Sequence, residues 1–67
     1  MLSARNQFKG KVKTVKLGMI MAEVIVGVND LEFVSLISAD SVQAMKLKEG
    51  DTVTVIVKAT EVMVAKT

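Results

Sequence analysis

Cysteine, histidine, proline, tryptophan and tyrosine are all absent from this chain of 67 residues. Without Cys or His there is no zinc ribbon, redox pair, thiol nucleophile or imidazole acid–base group. No disulfide can staple the fold, so the composition does not ask for an oxidising compartment. Aromatics amount to Phe8 and Phe33 alone. Charge of one sign is also lacking: nine basic residues against seven acidic ones leave +2, too mild a balance to signal nucleic acid by itself. No uncharged apolar run approaches the ~20 residues of a membrane span. The two apolar residues at the start give way to Ser3, Arg5 and Asn6, which is not the pattern of a secretory signal. The expectation is a soluble, cytoplasmic protein of one domain, residues 1–67.

What the chain has in quantity is apolar surface, 51% of its residues. A folded chain this short hides only roughly 60% of the surface it exposes when extended. With no covalent staple, partner subunits are the natural way to bury the remainder. An oligomer is expected.

Lys9 to Lys16 alternates with the period of a half-buried strand: Phe8, Gly10, Val12 and Thr14 on one side, Lys9, Lys11 and Lys13 on the other. Gly18 permits a tight turn. From Met19 to Val28 both alternating sets are apolar, Ile20, Ala22, Val24, Val26 and Val28 against Met19, Met21, Ile25 and Gly27, interrupted only by Glu23. A strand apolar on both faces is covered on both faces. Asn29-Asp30 is a turn signal, which makes Met19–Val28 and Leu31–Ile37 a hairpin. Ser38 or Asp40 can cap a short helix over Ser41–Met45. Lys48-Glu49-Gly50-Asp51 is a further turn, Val53–Val57 a strand rich in β-branched residues, and Val62–Val64 a short final strand. The order β-β-β-α-β-β is that of an all-β, five-stranded OB-like barrel with one short helix between strands 3 and 4. A small open sheet would carry the same signals.

Catalysis finds little support. The hydroxyls have no base beside them in sequence, and the spacing of Asp30, Glu32, Asp40, Glu49 and Asp51 fits no metal-binding loop. An OB-type barrel suggests single-stranded nucleic acid, held by base stacking over a basic groove. Lys9, Lys11 and Lys13 could track phosphates, but such a stripe is more often a solvated strand face that prevents edge pairing. Phe8 and Phe33 both fall at core positions. What remains is a set of hydrogen-bond donors. Ser3 and Arg5, two apart, share one side of an extended segment; Asn6 adds an amide. Ser38 and Ser41 flank a helix start, which favours anions, and Lys58 stands beside the small Ala59. Each has an ordinary alternative: Ser38 as a plain cap, Ser3 and Arg5 as a frayed terminus, Lys58 as a surface lysine.

Ser3-Ala4-Arg5-Asn6-Gln7-Phe8-Lys9-Gly10 resembles the S-A-R-N-Q-φ-K-G opening of molbindins. These are small stand-alone Mop proteins related to the C-terminal domains of molybdate-responsive regulators and molybdate transporter ATPases. Ile37-Ser38-Ala39-Asp40-Ser41-Val42, Leu47-Lys48-Glu49-Gly50 and Val57-Lys58-Ala59-Thr60-Glu61-Val62-Met63-Val64 match as well, so the resemblance spans essentially the whole chain. It departs at Gly27–Leu31, where molbindins often carry a longer, Gly-rich hairpin. The resemblance implies an OB-like barrel, a homo-oligomer built as a hexamer (a trimer of dimers), and molybdate or tungstate held between subunits. It implies Ser3, Arg5 and Asn6 from one subunit, with Ser38, Ser41, Lys58 and the backbone around Ala59 from a neighbour. Molybdate at neutral pH is a dianion without a proton. A pocket of donors alone suits it, and disfavours hydrogen phosphate, whose proton would find no acceptor.

Overall fold

A computed structural model describes residues 5–67 of the chain. In chain order it contains β1 (Asn6–Leu17), β2 (Met21–Val28), β3 (Leu31–Ser38), a helix α1 (Ala39–Met45), β4 (Thr52–Val57) and a 3-10 turn (Ala59–Glu61). The four strands form one antiparallel sheet in the order β3-β2-β1-β4.

The long strand β1 organises the sheet. Its first half pairs with β4, from Asn6 opposite Val57 to Lys11 opposite Thr52. Its second half pairs with β2, from Lys11 opposite Gly27 to Leu17 opposite Ala22. The register shifts between Val12 and Thr14, and the extra residue of this bulge, Lys13, reverses the alternation. Phe8, Gly10 and Val12 face inward, as the sequence pattern predicts. Thr14, predicted to join them, is exposed, and the inward role passes to Val15. One unpaired residue moves every later side chain to the other face.

The core is aliphatic: Val12, Ala22, Val24, Val26, Val28 and Val42 are buried together, with Phe8, Val15, Phe33, Ile37, Leu47, Val53 and Val55 packed around them. β2 thus supplies its even-numbered set to the core, with one exception. Met19 and Ile20, predicted to begin the strand, lie in the bend before it, and Ile20 is 78% exposed. The tight turn holds them out, closed by Gly18 N–H donating to the Met21 carbonyl at 2.9 Å. The hairpin turns at Asn29-Asp30 as expected, with Asn29 in the left-handed region at φ 53°, where Asn is better tolerated than most residues. The outer side of the sheet remains partly uncovered. Ile25 lies between Thr14 and Val34, and Val34 and Leu36 are 63% and 68% exposed.

α1 begins two residues earlier than the sequence suggested and is capped by Ser38, not Asp40. Its far end closes with Leu47 N–H on the Val42 carbonyl (3.1 Å) and Lys46 N–H on that of Gln43 (3.2 Å), Lys46 taking a φ of 54°. That is a Schellman pattern, and its usual apolar contact sets Leu47 into the cluster that holds Val42.

The predicted fifth strand is not among the elements of this chain. Val62–Val64 follow the 3-10 turn as irregular backbone, and the four-stranded sheet is open.

Two glycines are required where they stand. A Cβ at Gly10 would collide with the Gly27 carbonyl oxygen and come within 2.7 Å of Val28 Cγ2, so β1 and β2 approach at this point only because Gly10 has no side chain. Gly50 has free space around it but a φ of 91°. Gly10→Ala should therefore cost about 1–3 kcal/mol, as overpacking does, and Gly50→Ala about 1–2 kcal/mol through the backbone alone. Urea unfolding at fixed protein concentration measures both. An unchanged midpoint for Gly10→Ala would mean that the strands can part there without cost.

Candidate oxyanion site

The donors proposed from sequence fall into two groups. The first lies at the end of the β1–β4 ladder. Asn6, half-buried, opens β1 opposite Val57; Arg5 precedes it and Lys58 follows Val57, so the two cations leave the same end of the ladder. Both are exposed, and neither forms an ion pair among the described residues. Their charges add, which makes this end attractive to an anion. Lys58 introduces the 3-10 turn without a side-chain cap, its carbonyl accepting from Glu61 N–H at 2.9 Å. Its ammonium, on an exposed residue, is open to solvent or a ligand. Ala59, the first residue of that turn, is exposed and has no side chain beyond Cβ to obstruct a ligand.

The second group is the β3–α1 junction. Ser38 has extended backbone (φ −68°, ψ 147°), and its Oγ accepts from Ser41 N–H at 3.0 Å, the usual N-cap bond. The same hydroxyl donates to Ser41 Oγ at 2.7 Å. Ser38 has therefore spent its proton within the chain, while the Ser41 proton is free to point outward. The helix start offers an anion less than the sequence suggested. Ala39 N–H is already given to the Ile20 carbonyl at 2.7 Å, Ser41 N–H goes to Ser38, and Asp40 places an exposed carboxylate in the first turn. An acid there stabilises the helix end and counters its pull on an anion. The Ser-x-x-Ser spacing signalled the cap. No sequence signal pointed to the competing bond from Ala39 to Ile20, because it depends on where the β1–β2 turn lands.

Ser3 lies outside the described residues. Among those described, no hydrogen bond joins the serine pair to Arg5, Asn6, Lys58 or Ala59. Among the described residues each group is held on neighbouring elements, and no hydrogen bond links one to the other.

The nucleic-acid features fare worse. Phe8 and Phe33 stack on each other, ring centroids 5.3 Å apart and planes at 26°, and are half-buried against the core. Lys13 lies across Gly27, where a Cβ would meet its Cε at 2.7 Å, and reaches Glu32 on β3 at 2.7 Å. The basic stripe is thus interrupted, and both rings are engaged with each other and the core.

Comparison with known proteins decides the family. The sequence profile of the TOBE domain matches residues 2–64. Molybdenum-pterin-binding protein 3 of Clostridium pasteurianum is 45% identical over 64 residues, covering 94% of each chain. The chain belongs to the TOBE-domain family. The likeness to molbindins seen in the S-A-R-N opening thus extends along the whole TOBE domain. Among solved structures, a molybdate-binding protein from Sporomusa ovata is 39% identical and superposes with a TM-score of 0.95 over 98% of both chains. The cytoplasmic molybdate-binding protein ModG, solved with molybdate bound, is 35% identical with a TM-score of 0.83; the match covers 88% of this chain and 43% of that one.

The two serines of this TOBE domain can be separated by experiment. Ser38→Ala removes the cap and should lower stability by about 1 kcal/mol. Ser41→Ala keeps the backbone N–H that the cap accepts and removes only the acceptor of the Ser38 hydroxyl, so its loss of stability should be smaller than that of Ser38→Ala. Equal losses in the two variants, measured by urea unfolding, would show that Ser41 is also needed to hold the junction.

Proposed function

We propose that this TOBE domain binds molybdate, and its near-isostere tungstate, without catalysis, at interfaces between copies of itself, and so stores or buffers molybdenum in the cytoplasm. The observation that carries this reading is the full-length likeness to the Sporomusa ovata molybdate-binding protein. The donor set supplies the chemistry. Arg5 and Lys58 give charge-assisted hydrogen bonds, roughly twice as strong as neutral ones. The Ser41 hydroxyl, the Asn6 amide and backbone N–H groups near Ala59 add neutral donors, and Ser38 orients Ser41. Ser3 belongs with Arg5 and Asn6 in this proposal. No proton sits on the anion and no acceptor is needed, so a dianionic oxyanion is preferred over one that keeps a hydrogen.

The site needs more than one subunit on this reading. One copy brings Ser3, Arg5 and Asn6, and a neighbour brings Ser38, Ser41, Lys58 and Ala59, in a hexamer arranged as a trimer of dimers, each barrel five-stranded. In support, no hydrogen bond among the described residues joins Ser38 and Ser41 to Arg5 or Asn6, and the outer sheet face at Val34 and Leu36 is left open to a partner. Sharing a ligand across an interface couples binding to assembly, because an anion bound only by the oligomer stabilises it by mass action. The engagement of Phe8, Phe33 and Lys13 counts against single-stranded nucleic acid as an alternative.

Isothermal titration calorimetry with sodium molybdate tests the assignment. Arg5→Ala and Lys58→Ala should each weaken binding by about tenfold or more, the worth of a hydrogen bond to a charged group, while phosphate competes poorly. Unchanged uptake in both variants would remove the assignment, and salt-sensitive retention of a single-stranded oligonucleotide would favour the alternative.

A further inference from the structure

Two lysines that the oxyanion site leaves unused share its face. Where β1 pairs with β4, Gln7, Lys9 and Lys11 are exposed, whereas Asn6, Phe8 and Gly10 are half-buried. β4 alternates in the same way, with Thr52, Thr54 and Ile56 exposed and Val53, Val55 and Val57 half-buried. The register sets Gln7 opposite Ile56, Lys9 opposite Thr54 and Lys11 opposite Thr52, so the exposed members of both strands lie on one outer face. Arg5, exposed just before Asn6, and Lys58, exposed just after Val57 on extended backbone, continue the two exposed sets.

The charge on this face has one sign. Over the paired stretch its exposed residues include Lys9 and Lys11 and no carboxylate. Lys13, the next cation along β1, is tied to Glu32, whereas Lys9 and Lys11 form no ion pair among the described residues. Asp51, just before β4, is itself tied to Lys48, whose backbone N–H and ammonium both reach its carboxylate. Glu61, in the 3-10 turn, is the carboxylate nearest Lys58 along the chain.

We propose that Lys9 and Lys11 form an approach track for the oxyanion, drawing it along the outer face of the β1–β4 ladder towards Arg5 and Lys58. It rests on the reading of that end of the ladder as the anion site, and it names the residues that set how fast the site fills. At ~3.4 Å per residue, Lys9 stands about 14 Å from Arg5 along the strand and Lys11 about 20 Å. At that range the lysines act through their field. In water a single positive charge raises the local concentration of a dianion roughly threefold at the first distance and roughly twofold at the second, before screening. Salt cuts this, because the screening length falls from about 30 Å at 0.01 M to about 8 Å at 0.15 M. Charges set back from a site in this way change the association rate and its salt dependence, and leave dissociation nearly as it was.

The test compares a Lys9→Gln/Lys11→Gln double variant with the unaltered protein in molybdate binding at about 0.01 M and about 0.15 M salt. Calorimetry gives Kd, and a catechol that colours as it scavenges released molybdate gives koff; the ratio of koff to Kd gives kon. At the lower salt kon should fall by about two- to fivefold with koff unchanged, and at the higher salt the gap should close to within about 1.5-fold. Lys16→Gln serves as the charge control, since Lys16 lies about 37 Å from Arg5 along the same strand and removes the same charge as Lys9→Gln alone. Its kon should fall by less than that of Lys9→Gln. Equal falls in these two single variants would mark an effect of net charge and overturn the track. A kon indifferent to the double change also overturns it, as does a faster koff, which would make the lysines direct ligands. The unaltered protein separates the two readings: uptake with a lysine-independent kon refutes the track and leaves the oxyanion site standing, whereas no uptake at all removes both.

Discussion

A strand at the edge of a sheet leaves one row of backbone N–H and C=O groups without partners, and among the described residues this sheet has two such edges across an apolar cleft. Most of its other features follow from that condition. The core is a thin layer of valines and small aliphatics around one curved sheet, and none of the core side chains is both large and fully buried. Met19, Ile20, Val34, Leu36, Met63 and Val64 remain largely in water. Isolated exposed apolar residues are ordinary, but this many on so small a domain leave apolar surface open to a partner. Natural edges are usually blunted by charge, and on β3 Glu32 is tied across the sheet face to Lys13.

The long strand β1 links this economy to the site. Its first half pairs with β4 and its second, which holds the bulge at Lys13, with β2, so a single strand spans the sheet from Asn6 to Leu17. One end of β1 then carries Arg5 and Asn6 beside Lys58; β2, paired to its other half, brings Ser38 opposite Met21. The cations Arg5 and Lys58 and the serine hydroxyls thus stand on different elements of the sheet.

Much of this was legible in the sequence. The hairpin at Asn29-Asp30, the helix between the third and fourth strands and the valine core all follow from period, turn chemistry and β-branching. The family itself was legible in a motif, S-A-R-N with K-A-T. Three things were not. Alternation alone cannot reveal a bulge, since Lys-Thr-Val reads equally well in either phase, and Thr14 was misplaced for that reason. Ile20 looked like the first inward residue of β2 because an apolar run does not announce where a tight turn ends. A strand at Val62–Val64 was predicted from composition, yet a strand needs a neighbour, and a single chain supplies none there. The cap at Ser38 was legible as one of two candidates.

The central claim, that copies of this chain jointly enclose a doubly negative oxyanion with donors alone, is met most directly by native mass spectrometry of the purified protein with elemental analysis of the same sample. The expected result is a hexamer whose mass exceeds that of its polypeptides by whole molybdate or tungstate ions, and which takes up more on addition of molybdate. A single subunit, empty and unchanged by the salt, would contradict it.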